Sequence, residues 1–138
     1  MECEPVIVLD THTLIWLDAG LEKLGTQARE LLDAALQNDS LAVSAISFWE
    51  VGMLDHKGRI QMNVDLFQWR SDLLAGGLRE CPVTGNIGIQ AANLKDFHGD
   101  PADRLIVATA IHENAILATA DEAITAWDGP VRCLDPRC

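Results

Sequence analysis

Val6-Ile7-Val8-Leu9-Asp10 is the stretch whose reading decides the fold. Four apolar residues, most of them β-branched, are too few for a helix and show no polar alternation, so the run reads as a strand buried on both faces. Strands of this kind belong to parallel sheets, where helical crossovers cover both sides. The carboxylate that follows matters as much, because open parallel sheets bind ligands beyond the carboxyl ends of their strands.

Outward from this point, short apolar runs alternate with helical patterns. Residues 26–36 place Ala28, Leu31, Leu32, Ala35 and Leu36 on one helical face. Leu41-Ala42-Val43 is a second strand, and Ser44 suits the cap of a helix running to about Leu54. Between Val64 and Leu78, helical spacing relates Leu66, Phe67, Trp69, Leu73 and Leu74 until Gly76-Gly77 stops it. An edge strand is expected at Cys81-Pro82-Val83, and helices at residues 87–94 and 101–113. Strands at 115–118 and 131–134 enclose a short helix at 122–127. The expected fold is one α/β domain over residues 1–138, with a central parallel sheet of four to five short strands flanked by helices.

The chain has 138 residues, enough for a substantial core without a disulfide or metal staple. No apolar run reaches the roughly 18 residues of a membrane span, and the acidic Met1-Glu2-Cys3-Glu4-Pro5 start is unlike a signal peptide. A soluble, cytoplasmic protein with no membrane partner is expected. Cys3, Cys81, Cys133 and Cys138 form no C-x-x-C pair and sit near no histidine at zinc spacing, so they read as reduced, partly buried thiols. The four tryptophans are scattered along the sequence rather than gathered as a stacking platform. The net charge of −11 is the wrong sign for gripping phosphates. Clustered metal-binding carboxylates would account for part of it, and a basic partner chain for another part.

Four acids invite a common role: Asp10, Glu50, Asp103 and Asp121. Asp10 ends the first strand, and Asp121 lies just past the strand ending at Ala118. Each would equally serve as cap of the helix that follows. Glu50 lies beside the apolar stripe of Ile46, Trp49, Met53 and Leu54, where a charge must be paired, coordinated or neutralised. In Gly99-Asp100-Pro101-Ala102-Asp103-Arg104, Asp100 is a natural cap, Pro101 fits the first helical position, and Asp103 falls in the first turn. Two carboxylates ~5 Å apart repel by roughly 3 kcal/mol at an effective dielectric of about 20. Four converging carboxylates would require protons or cations, and Mg²⁺ or Mn²⁺ with hard oxygen ligands meets that need.

The ordered segments Val8-Leu9-Asp10-Thr11-His12, Ser47-Phe48-Trp49-Glu50-Val51, Lys57-Gly58-Arg59-Ile60, His98-Gly99-Asp100-Pro101-Ala102-Asp103-Arg104 and Leu117-Ala118-Thr119-Ala120-Asp121 resemble the successive signatures of PIN-domain proteins. The nearest likeness is to VapC-type toxins of toxin–antitoxin pairs, over about Val6 to Leu134. The resemblance implies an α/β/α sandwich and a Mg²⁺- or Mn²⁺-dependent endoribonuclease that cuts transfer or ribosomal RNA. It implies that Asp10, Glu50, Asp103 and Asp121 bind the metal, with Thr11, Ser47 and Thr119 in supporting polar positions and Asp100 as an additional acid. It also implies a homodimer, inhibited by an antitoxin whose basic tail covers the site.

Among nearby residues, His12 and His98 are candidate bases, although packing or bonding within the following helix is the expectation for His12 and loop shaping for His98. Arg104 is a candidate phosphate contact or an ordinary salt bridge, and Lys57 and Arg59 are candidates for RNA or partner contact. A haloacid-dehalogenase-type phosphatase would need a second Asp where His12 stands, and a receiver domain would need its phosphoacceptor where Ser44 stands. The alternative from another class is a noncatalytic PIN-fold module whose acids only cap helices and whose surface recruits a basic partner.

Overall fold

The computed structural model describes residues 5–138; Cys3 and the acidic start before Pro5 lie outside the described residues. The elements follow in the order β1 (Ile7–Leu9), α1 (Thr11–Ala19), α2 (Thr26–Gln37), β2 (Leu41–Ser44), α3 (Ile46–His56), α4 (Leu66–Ala75), β3 (Arg79–Cys81), α5 (Gly85–Ala92), α6 (Pro101–His112), β4 (Ile116–Ala118), α7 (Glu122–Thr125) and β5 (Arg132–Leu134). All strand pairings are parallel, in the order β3-β2-β1-β4-β5. Helices cover both faces, giving the α/β sandwich that the Val6–Leu9 run implies.

The pleat of β1 divides the core in two. Ile7 and Leu9 face one cluster with Leu14, Leu32 and Val43, under α1, α2 and α4. Val8 faces the other with Ile106, Val107, Ala110 and Leu117, under α6. Helix α6 is buried continuously from Ile106 to Ala110, and it packs against β1, β2, β4, α3 and α5. It is the central helix of the second layer.

Chain order places the ligand end. From β1 the chain builds outward through β2 to β3, then returns to pair β4 on the other side of β1. The direction of winding therefore reverses between β1 and β4, which opens a crevice beyond their carboxyl ends. Asp10 and Thr119, the residues directly after these two strands, flank it.

Several local expectations are corrected. Leu31 is 51% exposed, because the buried stripe of α2 runs through Ala28, Leu32 and Ala35. The buried face of α3 is Ser47 and Val51, whereas Trp49 is 56% exposed. Its small, partly polar face meets α6 and α1, Ile46 and Phe48 pack partly buried against the two core clusters, and Trp49 turns outward. Phe67 on α4 is likewise exposed, with Trp69 taking the buried position. The edge strand is Arg79–Cys81 rather than Cys81–Val83, as Pro82 cannot donate to the ladder. Ser44 ends β2, yet its hydroxyl still accepts the Ile46 N–H at the start of α3.

Candidate metal centre

Three helices begin at the crevice, and each brings an acid. Asp10 caps α1, its Oδ1 accepting the Thr13 N–H at 2.8 Å. Asp121 caps α7 by accepting from Ala123 and Ile124 at 2.8 and 3.2 Å. Asp100 caps α6 by accepting the Asp103 N–H at 2.8 Å, with Pro101 in the first turn behind it. The capping alternative for Asp10, Asp100 and Asp121 is thus correct as geometry. It does not compete with a shared site, because a cap fixes the carboxylate at a helix N-terminus and these N-termini converge.

The remaining acids arrive from helix sides. Glu50 projects from α3 and Asp103 from the first turn of α6, and the two helices pack together. A cleft of about 300 Å³ is lined by Asp10, Glu50, Asp100, Asp103 and Asp121, together with His12 and Trp16, and by no lysine or arginine. Within it, one carboxylate oxygen each from Glu50, Asp100 and Asp103 lies within 4.8 Å of the others. That tight triad includes Asp100, the additional acid, and omits Asp10 and Asp121, which stand in the same cleft.

Electrostatics registers the convergence. Burial, and then the charges of Asp100, Asp121, Glu50 and Asp10, push the Asp103 carboxyl up from 3.8 to about 7. A hard divalent cation suits this cleft, since it offers negatively charged oxygen donors in close array and no lysine or arginine to neutralise them.

Buried hydroxyls hold the frame. Thr119 donates to Asp10 Oδ2 at 2.5 Å and accepts the Asp121 N–H at 3.1 Å, so one side chain joins two acids. Thr11 donates to Ser47 Oγ at 3.0 Å, tying α1 to α3 below Glu50. Thr13, which the sequence reading passed over, is fully buried and donates to the Ala118 carbonyl at 3.1 Å. Its position three residues after an aspartate cap was the available signal. His12 is exposed on the cleft lining instead of packing into its helix, and His98 is exposed in the loop before α6.

Arg104 meets neither a phosphate-ready opening nor a carboxylate. Its guanidinium donates to the carbonyls of Ala91, Ala92, Leu94 and Phe97 at 2.5–3.2 Å, closing the C-terminal end of α5 and bracing the loop that delivers Asp100. A planar fork with five donors suits several carbonyls at once, which is why the residue is consumed structurally.

With fold and site described, comparison with known proteins gives the class. Residues 7–129 match the PIN domain, and the chain belongs to the PIN-domain family. Over 125 residues it is 35% identical to Ribonuclease VapC22 of Mycobacterium tuberculosis, covering 90% of this chain and 93% of that protein, which sets it in the VapC group of the family. Its fold is similar to that of VapBC2 from Rickettsia felis bound to a DNA fragment from their promoter, with a TM-score of 0.66 at 16% identity, covering 94% of this chain and 97% of that one. A toxin–antitoxin complex from Klebsiella pneumoniae gives 0.62 at 20% identity, with coverage of 94% and 97%.

Proposed function

We propose that this protein is a divalent-cation-dependent endoribonuclease, the toxin of a toxin–antitoxin pair, acting on structured RNA such as transfer or ribosomal RNA. The observation that carries the proposal is the convergence of Asp10, Glu50, Asp103 and Asp121, with Asp100, on one cleft that no lysine or arginine lines. The 35% identity to a curated VapC ribonuclease supports the same substrate class. Asp10, Glu50, Asp103 and Asp121 are the proposed metal-binding and catalytic set, with Thr11, Ser47, Thr119 and Asp100 holding it and Arg104 bracing it from behind.

Mg²⁺ or Mn²⁺ bound here would supply an activated water and neutralise charge developing on a phosphodiester. The chain's own contribution is position. Thr119 and the Thr13 N–H fix both oxygens of Asp10, the α6 cap fixes Asp100, and the packing of α3 on α6 sets Glu50 against Asp103. Asp103 holds a proton to about pH 7, and a bound cation would compete with that proton. The same acidic mouth suits a basic inhibitory tail from the cognate antitoxin, and a homodimer belongs to the same proposal.

The test uses protein freed of antitoxin and structured RNAs incubated with Mg²⁺, Mn²⁺ or chelator. Cleavage in either metal, none in chelator, and loss in Asp10→Asn are the expected results. Metal-independent cleavage, or full activity in Asp10→Asn, would refute the proposal. Absence of cleavage throughout would favour a noncatalytic binding module.

A further inference from the structure

A second cleft, of about 230 Å³, adjoins the acidic one, and Glu50 and Asp100 stand in the wall common to both. Its far side has a different character. Trp49, Met53 and Lys57 follow at four-residue spacing along α3 and past its end, and Arg59 completes the edge beyond the turn. Trp49 is 56% exposed, and both cations are exposed. Arg70 is engaged with Glu80, Arg137 with Asp135, and Arg104 with backbone carbonyls. Among the described residues, the side chains of Lys57 and Arg59 make no hydrogen bond or ion pair.

Two uncommitted cations and an exposed indole line one cleft here, on a chain of net charge −11. Cations on a groove and an aromatic face for a base are what a single strand of nucleic acid requires. A basic protein segment would be repelled from this side. We infer that the cleft is a subsite for the single-stranded RNA flanking the bond to be cut: Trp49 stacks an unpaired base, and Lys57 and Arg59 hold the adjoining phosphates. The inference rests on the ribonuclease proposal for its ligand, while the shared wall gives it its place. A base in this cleft sets the neighbouring phosphate at Glu50 and Asp100. Stacking needs a splayed base, so the subsite selects loops over duplex.

The experiment measures anisotropy of a fluorescein-labelled eight-nucleotide single-stranded RNA with the full chain in chelator, over a range of salt. Trp49→Ala is expected to weaken binding about 5- to 150-fold, with Trp49→Phe retaining most of the affinity. The Lys57→Ala/Arg59→Ala variant should lower the magnitude of the log–log salt slope by about 1.4, the value for two phosphate contacts on a single strand. A duplex of the same sequence should be insensitive to Trp49→Ala. Unchanged affinity and slope in these variants, or no binding by the unaltered chain, overturns the subsite. So does a loss in Trp49→Ala that accompanies dissociation of an oligomer in sedimentation, since Trp49 would then cover a second copy. A parallel cleavage assay with Mg²⁺ keeps the two claims apart: variant-sensitive binding without any cleavage upholds the subsite and refutes the nuclease.

Discussion

At the scale of single residues, Asp103 and Thr119 make separable predictions. Asp103 keeps its proton to about 7 in the fold but would release it near 3.8 in an unfolded chain. Between those values the folded state binds more protons, so this group's contribution to stability is greatest below about pH 4 and is lost as pH rises through about 7. In chelator, the thermal midpoint of the unaltered protein should therefore fall relative to Asp103→Asn between about pH 4 and about pH 7. Saturating Mg²⁺ should remove that relative fall, because the cation replaces the proton. A pH-independent difference in chelator would show that Asp103 does not feel its neighbours. Thr119→Val keeps the volume but removes the hydroxyl that joins Asp10 to the Asp121 N–H. Supporting hydrogen bonds of this kind are worth about 10- to 100-fold in metal affinity or activity. Titration calorimetry with Mn²⁺ and an RNA cleavage assay should both record a loss in that range, and an unchanged affinity would release Thr119 from its role.

At the scale of elements, the start of α6 is where capping and charge can be divided. Asp100→Ala removes both and should cost about 1 kcal/mol of stability. Asp100→Asn keeps a capping oxygen, so urea unfolding should find it near the parent while metal affinity drops. Equal destabilisation by both substitutions would mean that the charge, not the cap, holds the helix start. Gly99 is a second control on the same turn: a Cβ there would stand 2.5 Å from the Phe97 ring and 3.0 Å from Asp103 Cβ. Gly99→Ala should therefore displace Asp103 and reduce cleavage more than it reduces stability, as read by parallel kinetics and unfolding. Both elements also show what the sequence could disclose. Short apolar runs located β1, β2, β4 and β5, because such runs and their bounding turns are local properties, but placed the edge strand two residues late. Periodicity misassigned the faces of α2 and α3, since which side of an apolar helix is buried depends on the neighbour it meets. Trp49 faces outward because the side of α3 that meets α6 and α1 carries Ser47 and Val51. Arg104 was misread for a related reason. Its partners are backbone carbonyls 7–13 residues away, and no side-chain pattern in the sequence announces them.

At the scale of the molecule, the convergence of the acids depends on topology rather than on any segment alone. Asp10 and Asp121 are separated by 111 positions and meet because β4 returns to pair with β1 after the chain has built outward to β3. Strand-end logic could nominate both residues, but only the winding order makes them neighbours. Like charges brought together in this way oppose folding, so a ligand that neutralises them must stabilise the whole domain. A cation that binds only the folded protein adds about 2.7 kcal/mol at a hundredfold excess over its dissociation constant. For a domain of 138 residues that corresponds to a rise of roughly 5–10 °C in the thermal midpoint. Calorimetric scans with Mg²⁺ and with chelator should show this shift, and it should shrink by more than half in Asp10→Asn and in Glu50→Gln. Glu113 supplies the control: it lies at the end of α6 beyond His112 and outside the cleft lining, so Glu113→Gln should leave the metal-dependent shift intact. A shift of equal size in all three variants would assign the stabilisation to diffuse screening of the chain's negative charge. The cleft would then be no more than one acidic surface among others.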